Sequence, residues 1–155
     1  MKVMLAVALI LPLGGTQAAP QTKRPDLSGH WVADPPLADS DPRVPICNRE
    51  CFITQTEEAI AVREQRTPTI LSPAITFKFD GSPTSPPPPD GKPAAAVLRF
   101  RTTWKNDVLV ITSESGAYKT VSRLSIREGR LLIEGERSGP PFPVFKGTYR
   151  KVADE

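Results

Sequence analysis

The chain is poor in the residues from which metal centres and nucleophilic sites are built. Its 155 residues include one histidine, His30, and two cysteines. A structural zinc site takes about four such ligands, so neither a metal nor another cofactor is expected. No Ser-His-Asp arrangement and no glycine-rich phosphate loop can be placed in the sequence. As a neighbour of Trp31 in a strand, His30 is expected to point outwards. These absences favour a protein that is not an enzyme.

The chain also has only a small excess of charge of one sign. The 20 basic and 17 acidic residues leave a net charge of +3, and the basic residues are scattered. Such a small, dispersed excess is no footprint for nucleic acid. Paired acids such as Glu134 and Glu136 share one strand face opposite Leu131 and Ile133, which is typical of a solvated face. The charge pattern therefore names no nucleic-acid partner, and a protein partner stays unknown.

Long hydrophobic runs are missing as well, and the longest one belongs to an export signal. A single positive charge, Lys2, precedes the uncharged stretch 3–13, and small residues follow at 14–19. An apolar run of 11 residues is well short of the 20 or so that a transmembrane helix needs. A basic start, a short apolar run and a small-residue site are the three parts of a secretory signal. We therefore expect no membrane span.

The cleavage site follows from the side chains around it. A cut after Ala18 places Thr16 and Ala18 at the positions that require small residues, whereas a cut one residue later would lie against Pro20. Residues 1–18 are thus expected to be the signal peptide. Residues 19–155 are expected to form one domain of about 137 residues, exported to a periplasm or to the exterior of the cell.

The two cysteines, Cys47 and Cys51, lie in the exported part. An oxidising compartment favours a disulfide between them. Their C-x3-C spacing differs from the C-x2-C of thioredoxin-like redox sites, and no βαβ unit surrounds it. The bridge would close a small loop and contribute roughly 2 kcal/mol, which is enough to fix a loop.

Proline marks the breaks, and alternation marks the strands between them. Most of the 18 prolines fall in three clusters, at 35–45, 83–93 and 140–143, and proline has no place in a central strand. Between the clusters apolar and polar residues alternate with a period of two, which indicates strands with one buried face. The apolar members of the two clearest runs are Ile75, Phe77 and Phe79, and Leu98, Phe100 and Trp104.

Short turns join these runs in series, so the pattern predicts an all-β, antiparallel up-and-down meander of eight or nine strands. The predicted strands are 29–33, 50–56, 59–65, 74–80, 96–104, 108–114, 117–127, 130–137 and 144–152. In the seventh, the apolar positions shift phase between Val121 and Leu124, which we interpret as a bulge. A closed barrel is the favoured architecture because it removes sheet edges, and a β-sandwich is the alternative.

The two ends of the chain resemble the lipocalin and wider calycin pattern. Gly29-His30-Trp31 gives a G-x-W in the first strand, and Tyr149-Arg150-Lys151 lies in the last. The resemblance implies that Trp31 plugs the closed end of a barrel and that Arg150 packs across its ring, where cation–π attraction would hold it. It also implies that the stretch 34–46 is a large first loop over the open end.

These features lead to two hypotheses about function. An eight-stranded barrel has room inside for side chains or for one small ligand, and the first hypothesis is a module that binds a small apolar ligand. The alternative is an envelope or extracellular interaction protein that acts through its surface and has a filled core. The residues expected to line a ligand site are Phe77, Phe79, Leu98, Phe100 and Trp104.

Overall fold

The computed structural model describes residues 23–38, 44–86, 98–139 and 144–153, which contain ten β-strands. The predicted signal peptide lies outside these residues. The strands are β1 Gly29–Ala33, β2 Glu50–Gln55, β3 Ala59–Thr67, β4 Ile70–Leu71, β5 Ile75–Lys78, β6 Arg99–Lys105, β7 Val108–Ser115, β8 Tyr118–Arg127, β9 Arg130–Ser138 and β10 Val144–Val152. In the ranges described, no helix has the length and apolar character that crossing a membrane requires.

All strand pairs are antiparallel, and they form one sheet in the order β4-β3-β2-β1-β10-β9-β8-β7-β6, with β5 also paired to β3. Two-residue turns join β6 to β7, β7 to β8 and β8 to β9. Each turn contains a residue with positive φ, at Asn106, Gly116 and Glu128-Gly129, as tight hairpins demand. The predicted meander is confirmed, and the sandwich alternative is wrong because the sheet is continuous.

The sheet curls into a half-barrel whose two ends meet at one isolated bridge. Thr84 and Phe100 exchange both backbone hydrogen bonds, at N–O distances of 3.0 and 2.8 Å. Around this bridge four buried side-chain polar atoms have no partner among the described residues, namely Ser82 Oγ, Thr84 Oγ1, Thr102 Oγ1 and Trp104 Nε1. We call this junction of β5 and β6 the seam, and it is the least hydrogen-bonded part of the wall.

Two details of the strand prediction need correction. The two-residue strand β4 was not predicted, because two exposed apolar residues carry no alternation. The predicted bulge in β8 is absent: its register with β9 runs unbroken from Lys119 to Arg127. Thr120, Ser122 and Leu124 all face inwards on β8. The apolar pattern changes phase because the first two of these inward residues are polar. The inner face is polar at one end of the strand.

One end of the barrel is closed by the segment before β1. Leu27 is fully buried, and Trp31 is 2% exposed. The side chain of Gln55 fastens this segment, since its Oε1 accepts from Leu27 N at 3.0 Å and its Nε2 donates to Pro25 O at 3.1 Å. Trp31 Nε1 donates to Leu27 O at 2.9 Å. We call this the closed end.

Two glycines on the inner face make room for aromatic rings. A side chain at Gly135 would collide with the Val121 carbonyl oxygen and with the ring of Phe145. A side chain at Gly147 would meet the Tyr149 ring, which lies back along its own strand. The core on the β9–β10 side is therefore filled by these two rings, which leaves the free interior beside β3, β5, β6, β7 and β8.

Candidate functional site

The interior contains a cavity of about 490 Å³ at the end opposite Trp31. Its apolar lining comes from four strands and is made of Val62, Ile75, Phe77, Phe100 and Ile111. Its polar lining is made of Glu64, Arg66, Ser72, Ser113 and Ser122, and Pro45, Ile46, Pro73 and Pro86 complete it. The volume falls within the range of small-molecule sites, about 300–1,000 Å³.

The apolar wall is formed by β3, β5 and the start of β6. Val62 pairs with Ile75 in the register of β3 and β5. The rings of Phe77 and Phe100 meet edge to face across the seam, with centroids 5.0 Å apart at 81°. An edge-to-face aromatic pair stabilises the fold by more than the burial of its apolar surface area alone. This wall offers a ligand an apolar contact surface.

Hydroxyl groups from β7 and β8 form the polar wall. Ser113 lies directly opposite Phe100 in the register, and Ser122 lies directly opposite Ile111. Ser122 is 2% exposed. Thr120, the partner of Ser113 on β8, accepts a hydrogen bond from Arg137 Nε at 3.4 Å. No hydrogen bond joins the hydroxyls of Ser113 and Ser122 to another described residue.

A loop segment, 44–49, enters the cavity end of the barrel and is held at two points. Val44 and Cys47 are fully buried. Cys47 and Cys51 are bonded, with Cα atoms 5.4 Å apart. The Tyr149 hydroxyl donates to the Cys47 carbonyl oxygen. The disulfide and this hydrogen bond therefore hold Ile46 against the cavity.

Burial governs the ionisation of Tyr149. Removal from water raises the pKa of its phenol well above the ordinary value, and the charge of Glu64 raises it further. The ring therefore stays neutral, and its proton stays on the bond to Cys47. Tyr149 thus acts as a fixed hydrogen-bond donor between the core and the 44–49 segment.

Opposite charges stand at the cavity's outer margin. Glu64 and Arg66 are two apart on β3 and share its inner face with Val62. The β3–β4 turn is attached here, because Glu64 N donates to Ser72 Oγ at 2.8 Å and Ser72 N donates to Glu64 O at 2.9 Å. Among the described lining residues, the mouth therefore carries one group of each sign.

The structure divides the five residues predicted to line a ligand site. Phe77 and Phe100 line the cavity. Phe79 and Trp104 meet at 5.6 Å nearer the closed end, with the Arg24 guanidinium 5.3 Å from the Phe79 centroid. Leu98 packs against the core but does not line the cavity.

The cation beside Trp31 differs from the prediction. Lys151 Nζ lies 5.7 Å from the Trp31 ring centroid. Lys151 is the register partner of Trp31, whereas Arg150 is the partner of Val32. Because side chains alternate across a strand, Arg150 is on the other face. Gly29 has φ of +145°, and a side chain there would meet Lys151, so this glycine lets the lysine cross to the ring.

A second, more polar cleft of about 990 Å³ lies outside the closed end. Lys23, Asp26, Gln55 and Trp104 are among its lining residues. Hydrogen bonds from the Ser28 side chain and backbone lower the pKa of Asp26. Most of its lining already serves to attach the N-terminal segment, so the apolar cavity is the better candidate site.

The remaining polar candidates lie apart from the cavity. His30 faces outwards, stacks on Phe52 with centroids 4.2 Å apart, and has Nε2 2.7 Å from Glu50 Oε1. Glu136 pairs with Arg123 at 3.4 Å on the outer face. In the described part of the chain no group of three or more His, Cys, Asp or Glu side chains could hold a metal ion.

Sequence reasoning missed the polar half of the cavity. Alternation was used to find apolar faces, so the serines at inward positions were not included in the predicted lining. The signal was present in β7, where Leu109 and Ile111 are followed on the same face by Ser113. It recurs in β3, where Val62 is followed by Glu64 and Arg66. An inner face that turns polar along two strands indicates a lined cavity.

Comparison with known proteins supports the fold. No protein-family model matches this sequence, and a search of curated proteins finds no relative of it. Among solved structures, a mutant of the fluorescent protein UnaG is similar, with a TM-score of 0.52 and 16% sequence identity. The match covers 68% of this chain and 72% of that one. The chain therefore has an all-β fold in which an antiparallel sheet curls into a barrel with a cavity at one end.

Proposed function

We propose that this protein is an exported barrel that binds one small, largely apolar molecule in the cavity beside Phe77 and Phe100. The observation that carries the proposal is the cavity itself, about 490 Å³ of space lined by apolar and hydroxyl side chains at one end of the barrel. A surface-acting protein with a packed core has no need of such a space. Interiors are close-packed as a rule, so a hollow of this size with an apolar wall and a few polar groups is typical of a small-molecule site.

The proposal includes export, cleavage after Ala18 and the oxidised cysteine pair. Native mass spectrometry of the protein purified from its own host tests all three together with the ligand. We expect a polypeptide that begins at Ala19 and is lighter by two hydrogens for the Cys47–Cys51 bond. We also expect an added mass of a few hundred daltons, on the order of a cavity-sized ligand, that leaves on denaturation.

A polypeptide that retains residues 1–18 would contradict export. A bare polypeptide mass that also shows no binding of 1-anilinonaphthalene-8-sulfonate, a general probe of apolar cavities, would contradict ligand binding. That second result would favour the surface-acting alternative.

Filling the cavity should abolish binding. Ile75 lies on the inner face of β5 and lines the cavity, so Ile75→Trp is expected to lower affinity for 1-anilinonaphthalene-8-sulfonate by at least about a hundredfold, because the new ring occupies the space of the probe. A fluorescence titration measures the loss.

The neighbouring residue supplies the control for this variant. Thr76 is exposed on the other face of the same strand, and Thr76→Trp should bind the probe as wild type does. Equal binding by both variants would show that the probe sits elsewhere and would remove the support for this cavity.

A further inference from the structure

The lining of the cavity also changes from strand to strand around its wall, and this change bears on the shape of the ligand. Residues paired in register are side-by-side neighbours on adjacent strands. Phe100 on β6 is the neighbour of Ser113 on β7. Ile111 on β7 is the neighbour of Ser122 on β8. Going around the wall from β6 to β8, the lining changes from ring and alkyl groups to hydroxyls.

The apolar side continues on the far side of the seam. Phe77 contacts Phe100, and Val62 and Ile75 stand next to each other on β3 and β5. None of these side chains can accept or donate a hydrogen bond. A ligand in the cavity would therefore have one long side against rings and alkyl groups and the other against the hydroxyls of β7 and β8.

The hydroxyls of Ser113 and Ser122 form no hydrogen bond with another residue in the described ranges. Ser122 is only 2% exposed. A buried hydroxyl without a partner costs about 1–3 kcal/mol. Water or a ligand inside the barrel can supply hydrogen bonds to these two groups.

The charges at the mouth do not favour a head-and-tail ligand. A molecule with one ionised head and a flexible tail would be held best by a single charge of opposite sign. Glu64 and Arg66 stand together on the same strand face, and their signs oppose each other. The hydroxyls of Ser113 and Ser122 lie on a different part of the wall, on β7 and β8.

We infer that the ligand is amphipathic along its length: an apolar skeleton with hydroxyl or carbonyl groups along one edge, bound with that edge against Ser113 and Ser122. This inference rests on the proposed function. It specifies a class of molecule whose polar groups run beside the apolar surface, in contrast to a fatty acid, whose polar group is at one end.

Three probes of similar apolar area separate these classes: quercetin, a flat skeleton with hydroxyls; flavone, the same skeleton without them; and palmitate. Wild type should bind quercetin at least about tenfold more tightly than flavone or palmitate, as one or two extra hydrogen bonds provide. Isothermal titration calorimetry measures all three dissociation constants.

The double variant Ser113→Ala, Ser122→Ala locates the effect. It should weaken quercetin binding about tenfold and leave flavone and palmitate within about twofold of wild type. Ser125→Ala is the matched control, since Ser125 lies on the outer face of β8 in register with Leu132. That variant should bind all three probes as wild type does.

The outcomes separate the two proposals. If the probes bind but palmitate binds best, or the double variant leaves quercetin unchanged, the side-to-side inference is overturned while the ligand-binding function stands. If none of the three probes binds and 1-anilinonaphthalene-8-sulfonate does not bind either, the proposed function fails and the inference fails with it.

Discussion

Replacing Trp31 by alanine is expected to lower the free energy of unfolding by about 3–5 kcal/mol. The ring is 2% exposed, and with Leu27 it fills the closed end of the barrel. Its removal leaves a hollow that β1 and the preceding segment cannot collapse into, because Gln55 holds that segment by two hydrogen bonds. The Leu27 carbonyl also loses its donor, Trp31 Nε1. Urea denaturation followed by circular dichroism measures the change.

The second tryptophan is the natural comparison for this variant. Trp104 is only half-buried, and its buried Nε1 has no partner among the described residues. Trp104→Ala should therefore cost about 1–2 kcal/mol, clearly less than Trp31→Ala. Equal or reversed costs would show that Trp31 does not close the barrel.

A milder variant keeps the test useful if alanine prevents folding. Trp31→Phe retains most of the buried area and removes the indole donor, so it should fold and cost about 1–2 kcal/mol. Because Trp31 lies at the end opposite the cavity, affinity for 1-anilinonaphthalene-8-sulfonate should be that of wild type. A large loss of binding in the folded variant would contradict the separation of the two ends.

The sheet was predictable from the sequence because its strands and turns are determined by residues close together in the chain. Each hairpin from β6 to β9 is set by a two-residue turn with a residue suited to positive φ, as at Asn106 and Glu128-Gly129. Alternation then assigns each flanking residue to a face. Register follows from these two facts without knowledge of distant parts of the chain, and so the meander is correct from strand to strand.

The site was not predictable to the same degree, because it depends on contacts distant in sequence. Lys151 rather than Arg150 approaches Trp31 through a register between the first and last strands. Ser122 was read as part of a bulge, and nothing near it in sequence shows that it faces a hollow. Val44 and Ile46 fall in a proline-rich loop, yet they are buried, since the loop is fastened to Tyr149 more than a hundred residues away.

That fastening leads to a second large effect. Tyr149→Phe is expected to lower the free energy of unfolding by about 1–3 kcal/mol at pH 8, because the buried Cys47 carbonyl loses its donor while the ring still covers Gly147. The same variant should be less sensitive to alkali than wild type. Urea denaturation between pH 8 and pH 12 measures both effects.

The direction of the alkaline effect follows from where the proton is held. In the folded protein burial, assisted by Glu64, raises the pKa of Tyr149 above its ordinary value, which is about 10 in the unfolded chain. The stabilisation from this group is complete below that unfolded value and is lost as pH rises towards the folded one. In this window the unfolded chain has released the proton and the folded protein retains it. Stability therefore falls by about 1.4 kcal/mol per pH unit.

Phenylalanine carries no such proton, so the curves of stability against pH for wild type and Tyr149→Phe must converge. At pH 8 the free energy of unfolding of wild type is about 1–3 kcal/mol higher than that of Tyr149→Phe. The difference falls to zero within about one to two units above pH 10, where the curves cross. Tyr118→Phe provides the control: that ring is 60% exposed and meets water in both states, so its curve should run parallel to wild type. If the Tyr149→Phe curve also runs parallel throughout, the Tyr149 hydroxyl is reached by water, and the 44–49 segment is not sealed against the barrel.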